Sequence, residues 1–335
     1  MITIWVQLLL MLLIILVSAQ LFTNALEYAG QKLKISEGVT GSLFAAIATA
    51  LPETTVPIIA IIAGTQNQAI NEQISVGAIL GAPLMLSTLS TFLMTLMALK
   101  LRGIKGRIKP EKTGFTRDLN FFLMAFFLAA LAMYVPPGVF YIRAIISILL
   151  VSLYVGYVTL TVRASQHLVN NGHGVVPEQP LFFTKIKFKN NTFSIFIQLI
   201  FALGLLLFGA KGFITGVEEA SNALHISALL LSLLIIPIAT ELPEKVNSIL
   251  WIKKRKDTLG VGNITGAMVF QGTLLPALGI WLTPWQPSKE VLTGIVITLI
   301  ASFWLRVNIL HKGLPIAALL FNGGLYVVYL WLTLR

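Results

Sequence analysis

Ten stretches of this chain are long and apolar enough to cross a bilayer, and that constrains its fold more than any other feature. A spanning helix needs about 20 mostly apolar residues. The stretches cover 3–26, 38–63, 74–99, 119–136, 138–162, 193–217, 226–252, 261–283, 290–306 and 313–334. Gly and Pro fall inside several of them, which a bundle tolerates because neighbouring helices satisfy the freed backbone groups. Charged residues are only 11% of the 335, against roughly 25% in an ordinary globular chain. So few cannot clothe a soluble surface of this size, which excludes a cytosolic enzyme. Val17-Ser18-Ala19 resembles a signal-peptidase site, but no Lys or Arg precedes the apolar run, so 3–26 reads as the first helix. The expected fold is an all-α integral membrane protein with ten transmembrane helices.

The charges then sort by side. When alternate loops are placed on opposite faces of the membrane, 19 of the 24 Lys and Arg fall on one side and 3 on the other (Arg143, Lys289 and Arg335). Lys211 and Lys245 lie within spans. By the positive-inside rule the 19-side is cytoplasmic and both termini face outward, as expected in a cell membrane. This distribution accounts for the net charge of +11 without a nucleic-acid partner. Contact with anionic lipid is a natural by-product. The chain has no Cys and only four scattered His, so neither a thiolate metal site nor a haem is expected.

The chain also repeats itself. Ile47-Ala48-Thr49-Ala50-Leu51-Pro52-Glu53 matches Ile238-Ala239-Thr240-Glu241-Leu242-Pro243-Glu244 at an offset of 191, and Gly77-x-x-x-Gly81-Ala82 matches Gly262-x-x-x-Gly266-Ala267. Ser152–Arg163 and Gly324–Arg335 share seven of twelve residues. Residues 1–163 and 192–335 are therefore two copies of a five-helix unit, joined by a cytoplasmic linker at 164–191. An odd number of spans per copy inverts one against the other. Inverted repeats are a transporter architecture, with the substrate site near the midplane where broken helices meet. Pro52 and Pro243 mark those breaks.

Glu53, Glu241 and Glu244 stand in otherwise apolar spans. A charge there costs roughly 2.5–3.5 kcal/mol or more, so it reads as functional by default. Each proline lacks an N–H and frees a carbonyl one turn earlier. Those carbonyls, the Thr49 and Thr240 hydroxyls and two repeat-related carboxylates make an all-oxygen cage of the kind Ca²⁺ prefers. The Gly-x-x-x-Gly patterns read as close helix packing inside a monomer.

The twin Thr-Ala-Leu-Pro-Glu-Thr and Thr-Glu-Leu-Pro-Glu-Lys motifs, the glycine-rich helix after each, and the five-plus-five inverted arrangement resemble the sodium/calcium exchanger (cation/Ca²⁺ antiporter) superfamily over essentially the whole chain. The resemblance implies a monomeric antiporter, not an enzyme, with Glu53 and Glu244 as central cation ligands and Thr49 and Thr240 beside them. It needs no cofactor beyond the transported ions. It further implies that the helices at 3–26 and 193–217 slide across the remaining core to alternate access.

The chain departs from the family pattern at informative places. The motif serine is Ala50 in one repeat and Glu241 in the other. The serine after the second motif glycine is Ala82 and Ala267. The residue closing that motif is Leu86 in repeat one and Gln271 in repeat two. Glu241 and Gln271 are thus added candidate ligands, and Lys245 and Lys211 are candidate charge partners. Counting Glu53, Glu241, Glu244, Lys211 and Lys245, the membrane interior nets −1, which suits Ca²⁺ less well than a purely acidic cage. Two functions remain open: exchange of Ca²⁺ or another cation against Na⁺ or H⁺, and monovalent cation/H⁺ antiport on the same fold. An intramembrane enzyme or a transport-dead scaffold is a third class, for which no intramembrane His or Cys speaks.

Overall fold

The computed structural model describes residues 2–32, 51–169, 180–186, 189–309 and 313–334. Its elements are α1 (Ile2–Lys32), α2 (Leu51–Ala63), α3 (Gln68–Met85), a π-turn (Leu86–Ser90), α4 (Thr91–Arg102), α5 (Lys112–Ala132), α6 (Phe140–Val169), a 3-10 turn (Phe182–Ile186), α7 (Thr192–Leu224), α8 (Ala228–Thr240), α9 (Leu242–Lys253), α10 (Asp257–Leu282), α11 (Lys289–Val307) and α12 (Ile316–Thr333). The short strands β1 (Arg107–Ile108) and β2 (Leu314–Pro315) pair antiparallel. The chain is a multi-pass, all-α membrane protein. Among the described residues, eight helices are long and apolar enough to span a bilayer, and two shorter apolar segments, Glu53–Ala63 and Ala228–Pro237, lie where the second and seventh spans are expected.

The helices outrun the apolar stretches that announced them. Gln68–Arg102 is continuous through its π-turn, and α6 runs to Val169, past the expected repeat end at 163. Hydropathy registers only the part of a helix that sits in hydrocarbon, and polar residues continue the backbone hydrogen bonding beyond it.

The chain forms two compact units: Met1–Asn71 with Val158–His225, and Glu72–Tyr157 with Ile226–Arg335. The first centres on α1 against α7, the opening helices of the two repeats. A Cβ added at Gly209, Gly212 or Gly216 would meet Ile14 and Ile15, Met11, or Leu8 within about 3 Å, so α1 packs on a glycine-lined face of α7. Two polar clasps tie the pair. Gln7 donates to the Gly212 carbonyl (3.2 Å), and Gln198 donates to the Leu21 carbonyl (2.8 Å) and to Asn24 (3.0 Å).

The second unit is a helix bundle. Gly77 and Gly81 on α3 bring it against α8, where an added Cβ would lie 2.7 Å from the Leu229 carbonyl or 2.5 Å from that of Leu233. Here Gly-x-x-x-Gly does pack helices within the chain. Gly262 of the second pattern has no neighbour within 4 Å among the described residues, and the repeat counterpart of α8, residues 37–49, lies outside them. The π-turn redirects carbonyls, and Asn322 of α12 takes one of them, donating to Ser87 O (2.7 Å). At one end of the bundle, buried Arg143 closes α10 by donating to the carbonyls of Ile280, Thr283 and Pro284. That supplies the donors a helix C-terminus lacks. At the other end, the loops carrying the basic residues near 100–112, 253–258 and 306–315 come together through β1–β2 and Asp257.

Candidate cation-binding site

The seventh span is broken in two. α8 ends at Thr240, Glu241 sits at φ −83, ψ 3, and α9 begins at Leu242. The sequence explains the break. Pro243 falls in the first turn of α9, where its missing N–H costs nothing, but it could not continue α8. Leu242-Pro243-Glu244 thus opens a fresh half-helix, whose N-terminal dipole favours a carboxylate. In repeat one, Leu51-Pro52-Glu53 stand on α2, and the residues before Leu51 lie outside the described ones. A broken span of the kind formed by α8 and α9 is the arrangement by which transporters present charge at mid-membrane.

In the first unit, Glu53 is only 3% exposed, in a span with no basic residue. In the second unit, a polar cluster surrounds the break. Glu241 is fully buried, and its carboxylate accepts a short hydrogen bond from the Gln271 amide of α10. Gln271 itself is 3% exposed. The Thr240 hydroxyl is buried and donates back to Ile236 O (3.1 Å), leaving its oxygen lone pairs to face other groups. Lys245 is buried as well. Its ammonium donates to the Pro237 carbonyl (3.0 Å), which also accepts the Glu241 N–H (3.2 Å).

Of the residues expected at the site, Thr240, Glu241, Gln271 and Lys245 are thus brought together in the second unit, and Glu53 is buried in the first. Thr49 lies outside the described residues, as do the side chains of Pro52, Pro243 and Glu244. Lys211 is exposed on α7. What sequence reasoning missed is the Pro237 carbonyl, which accepts from Lys245 at the break. Pro237, four residues before Glu241, was the available signal.

The family model for the sodium/calcium exchanger protein matches residues 3–163 and again 194–335. The chain belongs to this family. CaxA of Alkalimonas amylolytica is 31% identical over 112 residues, 32% of this chain and 34% of that protein, so the similarity spans about a third of the relative's length. Among solved structures, the H⁺/Ca²⁺ exchanger CAX superposes with a TM-score of 0.74 at 19% identity, covering 98% of this chain and 82% of the other. The sodium-calcium exchanger NCX_Mj gives 0.58 at 21% identity over 100% and 99%. At these identities the likeness is one of fold.

Proposed function

We propose that this protein is a secondary cation antiporter that moves Ca²⁺ or another cation across a membrane against Na⁺ or H⁺ by alternating access. The observation that carries this reading is the buried acidic break of the seventh span. Glu241, Thr240 and Gln271 converge there beside a half-helix opened by Leu-Pro-Glu, and the same tripeptide with buried Glu53 stands in the other repeat. In this proposal Glu53 and Glu244 are the central ligands. Thr49, Thr240, Glu241 and Gln271 complete an oxygen-rich shell of the kind hard cations take. With Lys211 exposed on α7 and left out of the count, Glu53, Glu241, Glu244 and Lys245 carry −2 in this proposal, which balances one divalent ion.

The separate packing of α1 with α7 supports the further proposal that these two helices move as a pair to alternate access. The basic loop end faces the cytoplasm and the termini face outward. The protein works as a monomer in lipid, needs no cofactor, and binds only inorganic cations. Monovalent cation/H⁺ antiport is the second reading. Ala82, Ala267 and Leu86, where the family pattern carries oxygen ligands, favour it, as does the buried Lys245.

The test is ⁴⁵Ca²⁺ and pH-dye flux in proteoliposomes under imposed Na⁺ and H⁺ gradients. Glu53→Gln and Glu244→Gln should each abolish exchange while the protein still folds. Near-normal flux in either variant would refute the ligand assignment. Monovalent flux without ⁴⁵Ca²⁺ movement would select the second reading.

A further inference from the structure

The two repeats differ around their Leu-Pro-Glu motifs in a correlated way. Where repeat one has Ala50, repeat two has Glu241. Where repeat one has Thr54, repeat two has Lys245. Where repeat one has Leu86, repeat two has Gln271. Repeat two thus carries a carboxylate and an ammonium, four residues apart, that repeat one lacks, with no net difference of charge between the two positions. The structure shows where each goes. Glu241 is anchored across the bundle by Gln271, and the Lys245 ammonium sits 3.0 Å from the carbonyl oxygen of Pro237, in the last turn of α8.

That carbonyl belongs to the C-terminal end of a half-helix inside the membrane, where the backbone partial charge is negative. Such ends coordinate Na⁺ or H⁺ in transporters built from broken helices. An ammonium is a compact point charge with three donors, and here it makes the contact a bound monovalent cation would make. It cannot leave, because its stem is part of α9.

We infer that Lys245 is a built-in cation. It fills, on the Pro237 carbonyl beside Glu241, a place that would otherwise take a monovalent ion from solution, and so lowers by one the number of monovalent ions exchanged per cycle. This inference rests on the antiporter reading above. Glu241 compensates the tethered charge, which explains why the two residues appear together. Burying either alone leaves an uncompensated charge in low dielectric.

The experiment uses the full-length protein in proteoliposomes. Wild-type flux comes first; if no cation moves under any gradient, the antiporter reading fails before the inference is tested. With flux established, Lys245→Met removes the charge at similar volume. The vacated place must then be filled from solution, so the Hill coefficient for the driving monovalent ion should rise by about one, because a buried carboxylate demands a counter-charge. The gradient at which net flux vanishes should shift by one monovalent ion per cycle. Lys245→Arg keeps the tethered charge and should keep the wild-type coefficient.

A Lys245→Met protein that transports with the wild-type coefficient and null gradient overturns the inference. Should this variant bind but not turn over, the Hill slope of monovalent-ion protection against thermal unfolding carries the same test. A slope steeper by one supports the tethered cation, and an unchanged slope refutes it. Should Lys245→Met fail to fold, the comparison moves to Lys245→Gln against Lys245→Arg. A coefficient higher by about one in Lys245→Gln, with the wild-type coefficient in Lys245→Arg, supports the inference, and the wild-type coefficient in Lys245→Gln overturns it.

Discussion

Two clusters of the bundle unit, one around Asp257 at the loop end and one around Glu241 at mid-span, set carboxylates and basic residues to opposite uses. At the loop end, Asp257 accepts two hydrogen bonds from the Arg102 guanidinium, both 2.6 Å, and a third from the Lys109 N–H at 2.7 Å. Arg102 also donates to Arg107 O (2.8 Å). Bidentate, charge-assisted pairing of this kind is strong and directional, and it locks α4, the β1 loop and α10 together. At mid-span, Glu241 is held by a neutral amide, and Lys245 is aimed at a backbone carbonyl. A neutral amide is a donor that a dehydrated cation can displace. Burial of a charge says little by itself; on the reading proposed above, the charge of the donors around a carboxylate separates a strut from a binding site.

The largest effect on stability is expected from cutting the strut. Arg102→Met leaves Asp257 with only the Lys109 amide. Breaking a buried pair by removing one partner costs about 3–5 kcal/mol; the side chains here are 14% and 9% exposed, which puts the cost near the low end, about 3 kcal/mol. Thermal unfolding in detergent should therefore move down clearly. Ion selectivity and coupling of the molecules that remain folded should stay as in the wild type. A change of selectivity in Arg102→Met would break the distinction between the two clusters.

How much of this was open to sequence reasoning depended on range. The ten spans were legible because each is a local run of apolar residues, and the proline-glutamate break because Pro acts on its own helix. Glu241 was legible as a departure from its repeat partner Ala50. The Pro237 carbonyl as an acceptor for Lys245 was not, since that contact turns on the backbone geometry at the break. Lys211 shows the converse error. Its place within an apolar span counted it among the interior charges, but only the facing of α7 decides whether a mid-helix lysine points inward, and this one is exposed. Arg102–Asp257 was equally hidden, because two members of a pair 155 residues apart leave no local trace.

A second, smaller effect should come from Gln271→Leu, which gives repeat two the residue that repeat one carries at Leu86. The Glu241 oxygen then loses its amide donor. Leaving a buried acceptor without its partner costs about 1–3 kcal/mol, less than the strut. Here, though, function should change as well: apparent cation affinity should fall in flux assays while unfolding shifts only modestly. Equal loss of stability and unchanged affinity would make Gln271 another strut and erase the contrast. The reciprocal Leu86→Gln sharpens it. That site lies in the π-turn and is fully buried, so an added amide there should destabilise without improving affinity.

The smallest effect concerns Glu111, which belongs to the strut end. Its carboxylate caps α5 by accepting the N–H groups of Thr113 and Gly114, at 2.6 and 2.5 Å, and its own N–H donates to Thr258 (3.1 Å). Partial burial alone would raise its pKa. The Gly114 and Thr113 amides, the Thr113 hydroxyl and nearby Arg117 outweigh that and hold it below the usual 4.5. A carboxyl whose folded pKa is lowered stabilises the fold above its unfolded pKa, and loses that contribution as pH falls through the folded value. Glu111 is exposed, so solvent screens the gain, and a helix cap is worth about 1 kcal/mol at most sites. Wild type and Glu111→Gln should therefore differ by a small, constant margin in melting temperature above about pH 5, and converge below pH 4.5 as the carboxylate protonates. Transport at neutral pH should be the same in both, because this carboxylate, like Asp257, is occupied by fixed donors that no solution cation replaces. A margin that persisted unchanged to pH 3 would mean that the Glu111 side chain acts through its packing and not its charge.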